Sequence, residues 1–211
     1  MKLYLSSYKL GDDIDGLKSL VGVPNASVAV ISNARDSSKD EQRKAKSLEF
    51  DMSQMNSLGY SAEHIDLREY FAKPDQLVID LAKFDMLWVT GGNAFILLKA
   101  MKQSGFDKVV EKLIMTNKIV YAGFSAALCV IGEDLDGTEL VDDVNAIADG
   151  YNNETIWEGY GLIDFYPIVH YKSDHPESHL MDKELEYIIS KGRKYKTLRD
   201  GETIIIDSDA V

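Results

Sequence analysis

Ile119-Val120-Tyr121-Ala122-Gly123-Phe124-Ser125-Ala126-Ala127-Leu128-Cys129-Val130-Ile131 is the stretch on which the fold turns. An apolar extended run enters a sharp turn with a serine at its tip, and a short apolar helix follows. Such a turn lifts a hydroxyl off the edge of a sheet and sets the first N–H groups of a helix beside it. The small residues on each side, Gly123 and Ala126, are needed only if the hydroxyl is to be reached. Ser125 therefore reads as a nucleophile at a nucleophile elbow.

The surrounding chain supplies the sheet. Leu3-Tyr4-Leu5, Val28-Ala29-Val30-Ile31, His64-Ile65-Asp66-Leu67, Met86-Leu87-Trp88-Val89 and Ile119-Val120-Tyr121 read as strands, with a turn at Val23-Pro24-Asn25. Ser38 with Glu41 three residues on predicts a capping box. Ala45, Leu48, Met52 and Met55 then give one apolar helical face, which Gly59 ends. Further helical patterns fall at about 94–104 and 107–115. Strands alternating with helices predict an α/β fold with a mostly parallel sheet covered on both faces. Ligand sites in such sheets lie beyond the C-terminal strand ends, where Thr90-Gly91-Gly92-Asn93 and Gly123-Phe124-Ser125 both fall. The last third predicts strands at 140–144 and 163–170 around a polar loop at about 149–159. A helix at about 176–191 and a final strand, Thr203-Ile204-Ile205-Ile206, complete the pattern.

Composition limits the rest. The 211 residues suit one domain spanning 1–211, with 45% hydrophobic and 27% charged residues, as in ordinary globular chains. A net charge of −12 repels phosphates, so neither nucleic acid nor an anionic membrane is expected as a partner. The one cysteine, Cys129, forms no internal disulfide and fits a reducing compartment; it reads as a packing residue. No leader-like or membrane-spanning apolar run is present, and a cytoplasmic location is expected. No cofactor is expected.

A serine needs a base, usually a histidine held by a carboxylate. His170 ends the apolar run Phe165-Tyr166-Pro167-Ile168-Val169 and is the expected base; His64 lies before the elbow on a strand of its own. Asp143 is the favoured acid, with Asp142, Glu133, Asp134 and Asp136 as alternatives. The Gly92 and Ala126 N–H groups are the expected oxyanion donors. Asn93 reads as the N-cap of the following helix and as a candidate substrate contact. His175 and His179 have i, i+4 spacing, but Pro176 starts a helix between them and no third ligand is well spaced, so no metal site is expected. Gly91-Gly92-Asn93 lacks the further glycines and lysine of nucleotide-binding loops.

Taken in order, Gly91-Gly92-Asn93-Ala94-Phe95-Ile96-Leu97-Leu98, Gly123-Phe124-Ser125-Ala126 and a strand ending in His170-Tyr171 resemble the peptidase E family. These are aspartyl dipeptidases, relatives of cyanophycinase, on a fold like that of class I glutamine amidotransferases. The resemblance implies Ser125 as nucleophile, His170 as base, Gly92 and Ala126 as oxyanion donors, and Asp143 as the best match to the acid. It implies hydrolysis of short peptides with an N-terminal aspartyl residue, so a small acidic peptide is the expected partner. A homodimer is compatible with the sequence. Lys172, two residues beyond His170, is a candidate for the substrate carboxylate, alongside the reading of a solvated surface lysine. Two departures stand out. Ala127 occupies a position where the family usually has glycine, and Val169 precedes His170 where proline is common. An esterase or other amide hydrolase on this fold, or a non-catalytic ligand-binding member, are the alternative functions.

Overall fold

In a computed structural model describing residues 1–208, six strands form one sheet in the order β3-β2-β4-β5-β1-β8. They are β1 (Lys2–Ser6), β2 (Ser27–Ile31), β3 (Ser61–His64), β4 (Met86–Val89), β5 (Val120–Phe124) and, after the two strands β6 and β7 described below, β8 (Thr203–Asp207). All neighbours run parallel except β8, which joins β1 antiparallel. The helices are α1 (Ile14–Val21), α2 (Glu41–Ser57), α3 (Pro74–Leu81), α4 (Ala94–Ser104), α5 (Asp107–Val109), α6 (Ala126–Cys129) and α7 (Met181–Ser190). A π-helical turn, Val110–Ile114, extends α5.

Strand alternation explains why helices cover both faces. Leu3 and Leu5 of β1, Ala29 and Ile31 of β2, and Leu87 and Val89 of β4 face one way, packing with α3, α4 and α6. Tyr4, Val28, Val30, Met86 and Trp88 face the other way, against Leu17, Leu20 and Val21 of α1 and Met55 of α2. Each fully buried leucine contributes roughly 1.5–3 kcal/mol by leaving water. Strands buried on both sides must be apolar throughout, as β4 and β5 are.

Several boundaries differ from the sequence reading. The cap of α2 is Asp40, whose carboxylate accepts from the Arg43 N–H, while Ser38 accepts from the Asp40 N–H. β3 ends at His64 because the Asp66 carboxylate accepts from the Arg68 N–H and turns Leu67–Tyr70 into a 3₁₀ turn. No strand forms at 140–144: Thr138–Leu140 is a 3₁₀ turn, and the segment beyond it folds against the start of α4. The strand predicted at 163–170 shrinks to β6 (Tyr166–Ile168), which pairs with β7 (Tyr195–Thr197) in a separate two-stranded sheet. Helices α1 and α3 stand where no helix was predicted. Gly16 inside α1 masks its pattern; a Cβ there would meet the Asp13 carboxylate and Ile205, both at 2.4 Å. Among the described residues, no helix is long and apolar enough to cross a membrane.

Candidate active site

Parallel register delivers three chain ends to one place. Val89 pairs with Gly123 across β4 and β5, and Ser6 pairs with Phe124 across β1 and β5. The turn after β4, the turn after β5 and Ser7 after β1 therefore emerge side by side. Ser125 takes φ 55° and ψ −115°, a left-handed conformation that a serine adopts only when its surroundings hold it there. Its N–H donates to the Ser6 carbonyl, and its side chain stays partly exposed. Gly92, at φ 147°, passes so close to Ala34 that a Cβ would lie 2.6 Å from the Ala34 carbonyl oxygen. Only glycine fits there.

His170 follows β6 at φ 55° and is buried. Its Nε2 lies 3.1 Å from Ser125 Oγ, and its Nδ1 lies 2.7 Å from Asp200 Oδ1. This is the hydrogen-bonded order of hydroxyl, imidazole and carboxylate that activates serine nucleophiles. Burial pushes the His170 pKa below its usual value; Asp200 acts in the opposite direction, and His175 adds to the lowering. A neutral imidazole is the form that can accept a proton.

The carboxylate beside His170 is Asp200, which corrects the expectation of Asp143. Asp143 accepts from the Asn145 N–H, and its carbonyl accepts from Asn93 Nδ2. Asp142 accepts from the Ala94 N–H at the start of α4, and burial pushes its carboxyl up to about 7. Asp134 pairs with Arg193, and Asp136 accepts from Tyr187; the Glu133 carbonyl accepts from the Gly159 N–H. Asp200 is fixed by its own partners. Its N–H donates to Ser173 Oγ, and Ser7 Oγ stands 3.0 Å from its carboxylate while accepting from the His170 N–H. Ser7 is fully buried and joins β1 to both residues.

Asn93 caps α4 by accepting from the Ile96 N–H, so both ends of its side-chain amide are engaged, although it lines the cleft. Lys172 is placed elsewhere. The chain turns left-handed at both His170 and Lys172, which defeats strand alternation, and Lys172 Nζ rests over the Tyr171 ring. Cys129 sits near the Ser125 carbonyl, and burial pushes its thiol well above the usual range. His64 hydrogen-bonds Ser32 on the far side of β2.

Two spaces adjoin Ser125. An open cleft of about 390 Å³ is lined by Gly91, Gly92, Ser125 and His170, with Arg35, Arg43, Lys44, His175 and Glu177 around it. A chamber of about 20 Å³, room for roughly one water, is lined by Gly92, Ser125, Ala126, Asp142, Glu177 and Glu184. The two expected oxyanion donors, Gly92 and Ala126, thus border the space directly behind Ser125. Glu184 is buried and accepts from the Tyr166 hydroxyl, and burial pushes its carboxyl up to about 8.

His170, His175 and Glu177 each bring a donor atom within 4.8 Å of the others, a spacing that could suit a metal. The two imidazoles lie face to face, with centroids 3.7 Å apart and planes 6° from parallel. In-plane lone pairs on parallel rings do not converge on one ion, and both nitrogens of His170 are already engaged. Both features count against ligation of one ion by this set.

Residues 14–211 match the profile of peptidase family S51. The chain belongs to that family. Among curated relatives, an uncharacterized peptidase of Listeria monocytogenes is 29% identical over 119 residues, 56% of this chain and 55% of that protein. An uncharacterized peptidase of Pasteurella multocida is 31% identical, over 43% of this chain and 42% of its own length. The chain spans about half the length of the curated relatives it matches. Among solved structures, a Listeria monocytogenes protein provisionally named a peptidase E superposes with a TM-score of 0.75 at 22% identity. That match covers 98% of this chain and 94% of the other. A peptidase from an acI-B1 actinobacterium superposes at 0.59 with 19% identity, over 87% of this chain and 74% of its own. The S51 chain thus shares the α/β architecture of a peptidase E structure.

Proposed function

We propose that this S51 chain is a serine peptidase of short peptides that works through an acyl-enzyme on Ser125. The observation that carries the reading is the continuous contact from Ser125 Oγ through the His170 ring to Asp200, on a strained turn at the sheet edge. Family membership agrees with it.

In the proposed cycle His170 Nε2 takes the Ser125 proton as Oγ attacks the scissile carbonyl carbon. The C–O π electrons move onto oxygen, and the oxyanion settles toward the Gly92 and Ala126 N–H groups. Collapse breaks the C–N bond while His170 returns its proton to the leaving amine. Water then attacks the ester, with His170 as base again, releasing the acid and restoring the hydroxyl. Asp200 keeps Nδ1 protonated and stabilises the transient imidazolium; it need not itself become protonated.

An N-terminal aspartyl preference, implied by the resemblance, requires a cation near Ser125. Arg35, Arg43 and Lys44 line the cleft, whereas Lys172 does not. The whole chain carries −12, yet this cleft concentrates cations where a substrate carboxylate would arrive. Hydrolysis of aspartyl and alanyl p-nitroanilides by wild type, Ser125→Ala and His170→Ala tests the reading, together with fluorophosphonate labelling. Labelling and turnover that vanish in Ser125→Ala are expected. Turnover that persists in Ser125→Ala overturns the covalent mechanism.

A further inference from the structure

The proposed nucleophile and base belong to different sheets. Ser125 follows β5 of the six-stranded sheet, whereas His170 follows β6 of the two-stranded one. Ladder hydrogen bonds within either sheet cannot fix the gap between the two side chains, and 3.1 Å leaves little room for drift. Both residues also hold left-handed backbone, each at φ 55°, which a residue with a side chain keeps only where neighbours enforce it. The enforcing partners are consecutive in sequence. The Ser125 N–H donates to the Ser6 carbonyl at 3.2 Å, and the His170 N–H donates to Ser7 Oγ at 2.8 Å.

Ser7 does more than accept that one bond. Its single hydroxyl hydrogen has two acceptors in reach, Asp200 Oδ1 at 3.0 Å and the Leu198 carbonyl at 3.3 Å. The carboxylate is nearer and charged, so it takes the hydrogen. The same Oδ1 stands 2.7 Å from His170 Nδ1. The bonds therefore close a ring: His170 N–H to Ser7 Oγ, Ser7 O–H to Asp200 Oδ1, and Nδ1–H of His170 to that same oxygen. A ring that runs through both the backbone and the side chain of His170 fixes its χ angles together with its left-handed φ. Ser7 is fully buried, so bulk water does not compete for these bonds. Its own N–H donates to the Glu202 carbonyl, which ties the end of β1 to the turn that carries Asp200.

We propose that Ser7 is a positioning residue, whose hydroxyl locks His170 and Asp200 into one unit and holds the imidazole at reacting distance from Ser125. The inference rests on the peptidase reading above. Ser7 lines neither the cleft nor the chamber, so it acts through the base and not on the substrate. Without its hydroxyl the His170 N–H is left buried and unpaired, and Asp200 Oδ1 loses one of these two donors. The backbone of His170 is then free to relax from its left-handed state, which carries Nε2 away from Ser125 Oγ. A misplacement of about 1 Å at such a contact lowers the rate by about a hundredfold. Substrate binding does not pass through Ser7, so the loss falls on kcat.

The test is Ser7→Ala, assayed with alanyl p-nitroanilide and with a fluorophosphonate. Its kcat should fall about a hundredfold while KM stays within about threefold of wild type. Labelling of Ser125 should slow by a similar factor yet reach the same final stoichiometry, because a merely structural serine would lower the number of competent sites and not the rate at each. The low-field proton resonance of His170 Nδ1–H should shift or vanish in the same variant. Ser7→Thr keeps the hydroxyl and should recover to within about tenfold of wild type, the methyl being the remaining cost. In an Asp200→Asn background, Ser7→Ala should lower the rate by less than about threefold more, since the unit is already broken. Should Ser7→Ala not fold, Ser7→Cys takes its place: it keeps the volume, hydrogen-bonds weakly, and should lose about tenfold. Wild-type rates per labelled site in the variant, equal losses in Ser7→Thr and Ser7→Ala, or a loss that multiplies in full with that of Asp200→Asn each overturn the inference while leaving the peptidase intact. Absence of both labelling and turnover in folded wild type removes the peptidase reading, and the inference falls with it.

Discussion

His175 lies flat on His170, with ring centroids 3.7 Å apart and planes within 6°. Tyr8 meets both rings edge-on, at 5.8 and 5.2 Å. The imidazole that faces Ser125 is therefore clamped from the side as well as held at both nitrogens. Stacking excludes water from one face of His170, and any positive charge on His175 opposes a second charge beside it.

The pH profile should report this clamp. In the proposed cycle His170 accepts the serine proton and must be neutral to do so; burial holds its pKa below 6.5, with Asp200 and Glu177 pulling upward and His175 downward. The acid limb of kcat/KM for an anilide substrate should lie below pH 6.5 in wild type. In His175→Ala, solvent reaches the ring and the opposing charge is lost, so the limb should move to higher pH and the plateau should fall about tenfold. His175→Phe removes the charge but keeps the stack, so its limb should also rise while its plateau stays close to wild type. An unmoved limb in both variants would show that His175 does not influence the base.

Asp200 and Asp143 make a sharper pair. Asp200→Asn keeps the shape but lets the amide stabilise the wrong tautomer of His170, and kcat should fall by about 10²- to 10⁴-fold. Asp143→Asn changes a side chain that accepts from the Asn145 N–H and does not meet His170, so kcat should stay within about threefold. Steady-state hydrolysis of one anilide by the two variants decides between them.

Why sequence could group Ser125, His170 and Gly92 but not add Asp200, which lies beside them, is a matter of topology. The elbow advertises itself locally, since a serine in Gly-Phe-Ser-Ala-Ala after an apolar run has few other uses. Asp200 lies in the turn Arg199-Asp200-Gly201, which looks like any polar turn before a last strand. Its position depends on β8 running antiparallel to β1, with Thr203 opposite Ser6. An antiparallel edge strand enters the sheet at the C-terminal ends of its parallel neighbours, so the turn before it lands at the site. Strand direction was the missing quantity. Ser7 and His175 were invisible for a related reason: one acts through hydrogen bonds to residues 163 and 193 positions away, the other through ring stacking. The segment at 140–144 misled because Leu140-Val141 and Val144 alternate with acids that in fact hold the start of α4.

Ala127, where the resemblance leads one to expect glycine, is matched by Gly123. A Cβ on Gly123 would lie 2.6 Å from the Ala127 methyl and 2.4 Å from the Val89 carbonyl oxygen. The methyl occupies space that the absent side chain of Gly123 leaves open, so the crossing of α6 over β5 stays close. Gly123→Ala should destabilise the protein by about 3 kcal/mol or more, read by urea denaturation. The double variant Gly123→Ala with Ala127→Gly should recover little of this, because the backbone clash with Val89 persists. Full recovery would mean that the two side chains alone set the spacing.

Glu184 should make stability depend on pH in the direction opposite to His170. Its carboxyl titrates at about 8 in the folded chain against a reference of 4.5, because burial penalises the charge. A raised native pKa means that the folded state holds a proton which the unfolded state has released. The resulting contribution is fully present below about pH 4.5 and is lost as pH rises toward 8. Glu184→Gln keeps an oxygen for the Tyr166 hydroxyl and carries no titratable proton. The variant should therefore match or exceed wild-type stability at pH 8, by about 1 to 3 kcal/mol, and the advantage should shrink as pH falls toward 5. Urea midpoints for both proteins at pH 5, 6.5 and 8 measure the slope. Parallel curves would show that Glu184 titrates alike in the folded and unfolded chain, and that the chamber behind Ser125 is wetter than its walls suggest.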